Sequence, residues 1–265
     1  MAKNYKLTIW YILVGLLALV MWGTGSQAQF SSVTGVSLQL PSFVAFLLLS
    51  STIVIGYTLF RKNFWVWPLV VVFIVGGLFM VQFGFNWLNL TAVIIFFILN
   101  LEAYRRAGGE MKDRIKINIE AVLNRGLRPI VVGIFILVSF ATYQSPLMEQ
   151  IKTSGNLPSQ TRKLIQQITE KMIGNKADAV PAKQRQSIIS EVTSQTYQEI
   201  NSLLKPYFQY APPALAFGLF LILFGLSWLF VFIAMLVGLG LFWILKKTKV
   251  VQIEKKQIEA EVLVI

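Results

Sequence analysis

Neither cysteine nor histidine occurs anywhere in this chain, and those two absences bound the chemistry it can do. Without a thiolate there is no disulfide framework, no redox dithiol and no thiolate metal site. Without imidazole there is no histidine acid–base catalysis and no His-ligated metal, and Ser–His or Cys–His nucleophile systems lack their base. The patterns GxxxxGK[ST], GxGxxG and HExxH are also missing, and Gly108-Gly109 reads as a hinge and not as a phosphate loop. No pair of aspartates stands at a block edge to hold a metal-diphosphate. The expectation is a chain with no catalytic residue, no metal ligand and no cofactor: not an enzyme.

The remaining chemistry is electrostatic, so the position of each charge matters. Charge inside a membrane marks an ion path or proton relay. Here Glu102 is the nearest candidate, and its neighbours Arg105 and Arg106 make an i,i+3 or i,i+4 ion pair the simpler reading. Neutral polar residues do fall within apolar blocks: Ser50, Ser51, Thr52, Asn89, Thr91, Asn100, Ser139, Thr142 and Ser227. Such residues line a pathway or, more often, bond across helices and back to their own carbonyls. Asn89-Leu90-Thr91 also matches a glycosylation acceptor, at an unfavourable place beside a block edge.

The elements that position these residues follow from hydropathy. The 265 residues are 55% hydrophobic and only 14% charged, against roughly a quarter charged in an ordinary soluble domain. The apolar residues come in blocks of the length that spans a bilayer. The blocks run roughly from Leu7 to Gly23, Pro41 to Phe60, Trp65 to Phe83, Trp87 to Leu101, Pro129 to Tyr143 and Pro212 to Leu245. The fold class expected is all-α: a polytopic membrane bundle of about six transmembrane helices with an extracytoplasmic helical hairpin. Trp10, Tyr11 and Trp22 are read as interfacial anchors of an uncleaved first helix, although Ser26-Gln27-Ala28 has the look of a signal-peptide cleavage site. Gly84-Phe85-Asn86 makes a tight turn between the third and fourth blocks.

Four regions result. Residues 1–143 form a five-helix transmembrane region containing a basic cytoplasmic loop, 102–128. In that loop Met111, Ile115, Ile119 and Val122 suggest a helix lying on the membrane surface. Residues 144–209 form the extracytoplasmic hairpin, 210–246 a long C-terminal transmembrane helix or a short hairpin broken near Gly225-Leu226-Ser227, and 247–265 a cytoplasmic tail with strand-like alternation. Orientation follows from the positive-inside rule. With the N-terminus inside, the cytoplasmic side holds Lys3, Lys6, Arg61, Lys62, Arg105, Arg106, Lys112, Arg114, Lys116, Arg125 and Arg128, whereas residues 24–40 and 84–86 hold no Lys or Arg. Both termini are expected in the cytoplasm, in a cell (inner) membrane.

Two sets of residues are singled out. Gly218, Gly225, Ala234 and Gly238 are candidates for close helix packing or self-association in the last block. Ile165, Ile168, Met172, Ile189 and Val192 form one apolar stripe on each helix of the outer segment and are the contact candidates. The expected partners are the lipid bilayer, another membrane or envelope protein, or a second copy, and no nucleic acid. Function is read as a non-enzymatic scaffold, assembly or envelope subunit acting through the outer hairpin. The alternative is a passive channel or transporter for a neutral or lipid-like substrate.

Overall fold

A computed structural model describes residues 2–25, 40–60, 66–112, 118–145, 148, 156, 159–174, 182–208 and 210–251. Among them the order is α1 (Ala2–Gly25), α2 (Leu40–Leu59), α3 (Val66–Phe83), α4 (Trp87–Lys112), α5 (Ile119–Tyr143), α6 (Ser159–Gly174), α7 (Ala182–Leu204), a 3-10 turn (Lys205–Tyr207), α8 (Ala211–Gly225) and α9 (Ser227–Lys247), with no strand. Six helices are long and apolar enough to cross a membrane: those covering Tyr5–Thr24, Leu40–Leu59, Val66–Phe83, Trp87–Met111, Ile119–Tyr143 and Ser227–Lys247. Large apolar side chains such as Phe73 and Val81 stand 77% and 83% exposed on them, a surface suited to hydrocarbon and not to water. This is the architecture of a membrane protein.

Local signals explain the helix ends. Gly84 adopts φ +92 after α3, the left-handed conformation that closes a helix at little cost for glycine. Asn86 caps α4, its Oδ1 accepting from the Asn89 backbone N–H at 2.8 Å. Asn118 caps α5 in the same way, accepting from Ala121 N–H at 3.2 Å. The proline pair Pro212-Pro213 sits in the first turn of α8, where the missing N–H groups have no intrahelical partner to lose.

α2 lies at the centre, touching α1, α4, α5 and α9, while α3 closes against α1 and α4. The longest contact is between α4 and α5. Leu49, Ile53 and Val54 of α2, Phe79 of α3, Phe96 of α4 and Leu127, Ile130 and Ile134 of α5 fill the interior. Phe46, Phe135 and Phe230 join α2, α5 and α9, with Phe135 and Phe230 edge to face at 5.1 Å.

Two expectations need correction. Within 102–128, residues 102–112 and 119–128 belong to long helices and not to a loop with its own surface helix, while residues 113–117, Ile115 among them, lie outside the described residues. α4 continues to Lys112, and α5 begins at Ile119 with Pro129 buried inside it. Small residues are the reason: Ala103 and Ala107 are wholly buried on α4, so the two rods stay in contact beyond the apolar blocks. Trp22 is not an interfacial anchor either. It is 4% exposed, and its Nε1–H donates to the Val75 carbonyl of α3 at 3.2 Å. Its ring packs on Phe79 and Phe83. The last block is interrupted within Gly225-Leu226-Ser227, the place where the sequence reading puts a possible break. A single residue, Leu226, separates α8 from α9; its N–H donates to Ile222 O at 3.0 Å and its carbonyl accepts from Leu229 N–H at 3.0 Å. That overwound turn joins two helices that both pack against α5. The proposed cleavage site at 26–28 and the tail beyond residue 251 lie outside the described residues.

Candidate functional site

The neutral polar residues of the spans do not converge on one channel-like surface. Ser50, Thr91, Ser139 and Thr142 each donate to the carbonyl four residues earlier, at 2.8 to 2.9 Å. Ser51 Oγ reaches both Leu47 O at 2.8 Å and Ala234 O of α9 at 2.7 Å. These are packing bonds, the kind that lets a hydroxyl sit in an apolar interior.

Two polar knots do join helices. In the first, Asn89 is wholly buried and donates from Nδ2 to Gly84 O at 2.7 Å and Phe83 O at 3.2 Å. Gln144, just past α5, donates to Asn89 Oδ1 and accepts from Asn86 Nδ2 at 2.7 Å. The ends of α3, α4 and α5 are thereby tied together, and the amide that a glycosylation sequence would offer is inaccessible. In the second knot Asn100 is wholly buried, accepts from Tyr57 Oη at 2.5 Å and donates to Pro68 O at 3.0 Å. It links α4 to α2 and α3, and Tyr104 packs edge-on to Tyr57 at 5.2 Å.

In α4 and α5 the charged residues fall in the last half of α4, from Glu102, and the first half of α5, up to Arg128. Arg106 Nε donates to Glu102 at 2.8 Å, the expected i,i+4 pair. Arg125 on α5 meets Glu110 on α4 at 2.7 Å, with Glu110 only 4% exposed. Lys247 sits 5.0 Å over the Trp243 ring at the end of α9.

The four packing candidates divide. A Cβ on Gly238 would meet Leu123 Cδ1 at 3.1 Å and Ser51 Cβ at 3.5 Å, and Ala234 is wholly buried against α2. Both therefore pack within the chain. Gly218 and Gly225 have nothing within 4 Å of such a Cβ. The tightest approaches are elsewhere: at Gly56, where a Cβ would run into the Trp10 ring, and at Gly76, Gly126 and Gly133, where it would lie 2.8, 2.6 and 2.7 Å from Val93, Val54 and Phe96 respectively. Those positions were missed by a search for four-residue spacing, although Gly126 and Gly133 stand seven apart and so share a helix face.

The contact candidates also divide. α6 and α7 lie against each other, with Arg162 Nη2 donating to Ser194 Oγ at 3.1 Å. Their contact centres on Thr169 and Thr193, both buried, with Ile165 and Ile189 half-buried beside them. Ile168, Met172 and Val192 are left exposed, as are Leu164 and Ile188. Leu164, Ile168 and Met172 follow at four-residue steps, so they form one uncovered apolar ridge on α6. This ridge is the candidate site.

Comparison with known proteins gives no relative: no family model, curated protein or solved structure matches this chain.

Proposed function

We propose that the protein is a non-enzymatic membrane component, a scaffold, assembly or envelope subunit, that works through contacts made by α6 and α7 outside the bundle. The uncovered ridge Leu164–Ile168–Met172 carries this reading. Its side chains are 38%, 54% and 71% exposed although the helix has a partner in α7, and an isolated apolar ridge on an otherwise polar helix is the pattern of a contact surface. The packed interior, with its polar side chains tied to helix carbonyls, supports this over a passive channel or transporter.

Orientation belongs to the same proposal. Both termini lie in the cytoplasm of a cell membrane, and α6–α7 forms the extracytoplasmic hairpin, because the basic residues concentrate on the other side of the short loops. The cysteine-free chain makes this testable. Single cysteines at Gln166, Glu120 and Val250, all exposed positions, are to be probed with a membrane-impermeant thiol reagent. Gln166→Cys is expected to react in intact cells, and Glu120→Cys and Val250→Cys only after permeabilisation. Reaction of Glu120→Cys but not Gln166→Cys in intact cells overturns the orientation.

The contact role has its own test. A photoreactive diazirine side chain at Ile168 or Met172, compared with one at Gln166, is expected to give discrete adducts at the two ridge positions and background at Gln166. Background at all three positions sinks the contact reading.

A further inference from the structure

We propose that the outer face of the α4–α5 pair is a lipid-phosphate site set well inside the apolar span of its neighbours. Arg106 and Arg125 hold the phosphodiester of an anionic lipid there, with Arg105 and Arg128 at its flanks.

Depth follows from what packs on what. α5 runs antiparallel to α2, since Phe135 meets Phe46 and Gly126 meets Val54. Beyond Val54, α2 runs on for five residues to Leu59, about 8 Å of helix. Arg128, two residues past Gly126 in the opposite direction, therefore stands about 11 Å short of the end of α2. α9 agrees. Leu123 lies on Gly238, and from there α9 carries no charge until Lys246, about 10 Å farther on. Arg125 and Arg128 lie deeper still, beyond Leu123. The charge-free stretches Trp87–Leu101 of α4 and Pro129–Tyr143 of α5 are each only about 22 Å long, against about 30 Å of hydrocarbon. Both helices nevertheless extend beyond these stretches with Ala103, Ala107, Leu123 and Leu127 wholly or almost wholly buried. The rods stay in the bundle, and only one side of them turns polar.

That side is the one turned away from α2. On α4, Ala107 meets Gly126 of α5, and Ala103 stands one turn before it. Arg106 and Glu102 project about 60° and 100° to one side of Ala103, and Asn100 and Tyr104 by the same angles to the other, where they meet Tyr57 of α2. On α5, Arg125 turns about 100° from Gly126, and Leu127, buried in the core, about 100° the other way. Arg106 and Arg125 are the chain neighbours of Ala107 and Gly126, so they stand at one level of the pair, 50% and 61% exposed. Arg105 and Arg128 are exposed as well. Four arginines thus face two carboxylates, and each carboxylate is bonded through a single nitrogen, Nε of Arg106 for Glu102 and Nη1 of Arg125 for Glu110. Glu120 stands about 140° round α5 from Arg125, on another face. A guanidinium carries five N–H donors, so donors remain for a phosphate, whose oxygens fit the planar fork. Surplus positive charge at hydrocarbon depth is costly unless an anion or water meets it. The anion that reaches this level is the one carried by a lipid, its phosphodiester drawn in beside α4–α5.

Native mass spectrometry of the full chain, titrated with phosphatidylglycerol, phosphatidylcholine or diacylglycerol, reads the binding. Phosphatidylglycerol is expected to be retained, phosphatidylcholine more weakly because its choline offsets the charge, and diacylglycerol not at all. R106Q and R128Q leave the Arg125–Glu110 pair in place. Each is expected to weaken retention of phosphatidylglycerol about fivefold, the factor for one basic residue near anionic lipid. R106K, which keeps the charge, is expected to restore most of it, and R162Q, the same loss of charge on α6, to leave it unaltered. Circular dichroism checks that the variants keep their helices. Equal weakening by R162Q, or equal retention of diacylglycerol, overturns the site. Absence of any retained lipid also overturns it: water then solvates the arginines in a locally thinned bilayer. Displacement of the lipid by excess inorganic phosphate overturns the lipid assignment, because the ligand is then a soluble anion.

Discussion

Gly126→Leu and Gly133→Leu are expected to be the most damaging single changes in the membrane bundle, abolishing or nearly abolishing recovery of monodisperse protein. At Gly126 even a Cβ would stand 2.6 Å from Val54 Cγ1 and 3.3 Å from Ala107 Cβ. At Gly133 it would stand 2.7 Å from Phe96 Cδ2. Val54, Ala107 and Phe96 are themselves wholly buried, so none can swing aside, and the helices must separate along the longest contact in the fold. Two effects of opposite sign compete in the milder alanine variants. Replacing helical glycine by alanine gains about 0.8–1.0 kcal/mol of propensity, whereas overpacking a filled core costs about 1–3 kcal/mol. The clash wins at Gly126 and Gly133, and Gly126→Ala and Gly133→Ala are expected to lower the unfolding midpoint in detergent. Gly77→Ala and Gly240→Ala, where nothing lies within 4 Å, are expected to leave it unchanged or raise it. Loss of stability at Gly77 or Gly240 equal to that at Gly126 would remove the packing explanation.

That contrast also shows which features are legible in a single sequence. The six apolar blocks emerge from hydropathy because lipid demands unbroken apolar length, a local property. The ion pair between Glu102 and Arg106 emerges because i,i+4 neighbours are set by helix geometry alone. Which glycine meets a neighbouring helix depends on azimuth and register, and these are set by all the packed helices together. Gly218 and Gly238 are alike in the sequence, yet only Gly238 sits under Leu123 and Ser51. Trp22 fits the interfacial pattern equally well, but a carbonyl on α3 turns it inward. The ridge on α6 was half legible for the same reason. Periodicity marks Ile165, Ile168 and Met172 as apolar, but α7 packs on the Thr169 edge and leaves the ridge beside it uncovered. Nothing in the spacing of α6 says from which side α7 approaches.

The second large effect is expected at Asn100. Asn100→Leu removes the acceptor of Tyr57 Oη and the donor to Pro68 O, both within a wholly buried site. The Pro68 carbonyl loses only a supplementary donor, since the helix can occupy it with the N–H of residue 72. The Tyr57 hydroxyl has no such recourse. A buried group left unsatisfied costs about 1–3 kcal/mol, more than the 0.6 kcal/mol average, and about 1.7 at most, measured for side-chain hydrogen bonds between membrane helices. The orphaned hydroxyl therefore decides the outcome, which sets the ordering of a mutant cycle. Tyr57→Phe, which leaves only the Asn100 carbonyl oxygen short of a donor, is expected to cost about 1 kcal/mol. Asn100→Leu is expected to cost about 2–3 kcal/mol. The double variant Asn100→Leu, Tyr57→Phe is expected to be more stable than Asn100→Leu alone, because no polar atom is then stranded between α2 and α4. Unfolding followed in detergent by loss of helical signal gives all three differences. Simple additivity would show that Tyr57 and Asn100 do not act as a pair, and that α2, α3 and α4 are held together by packing alone.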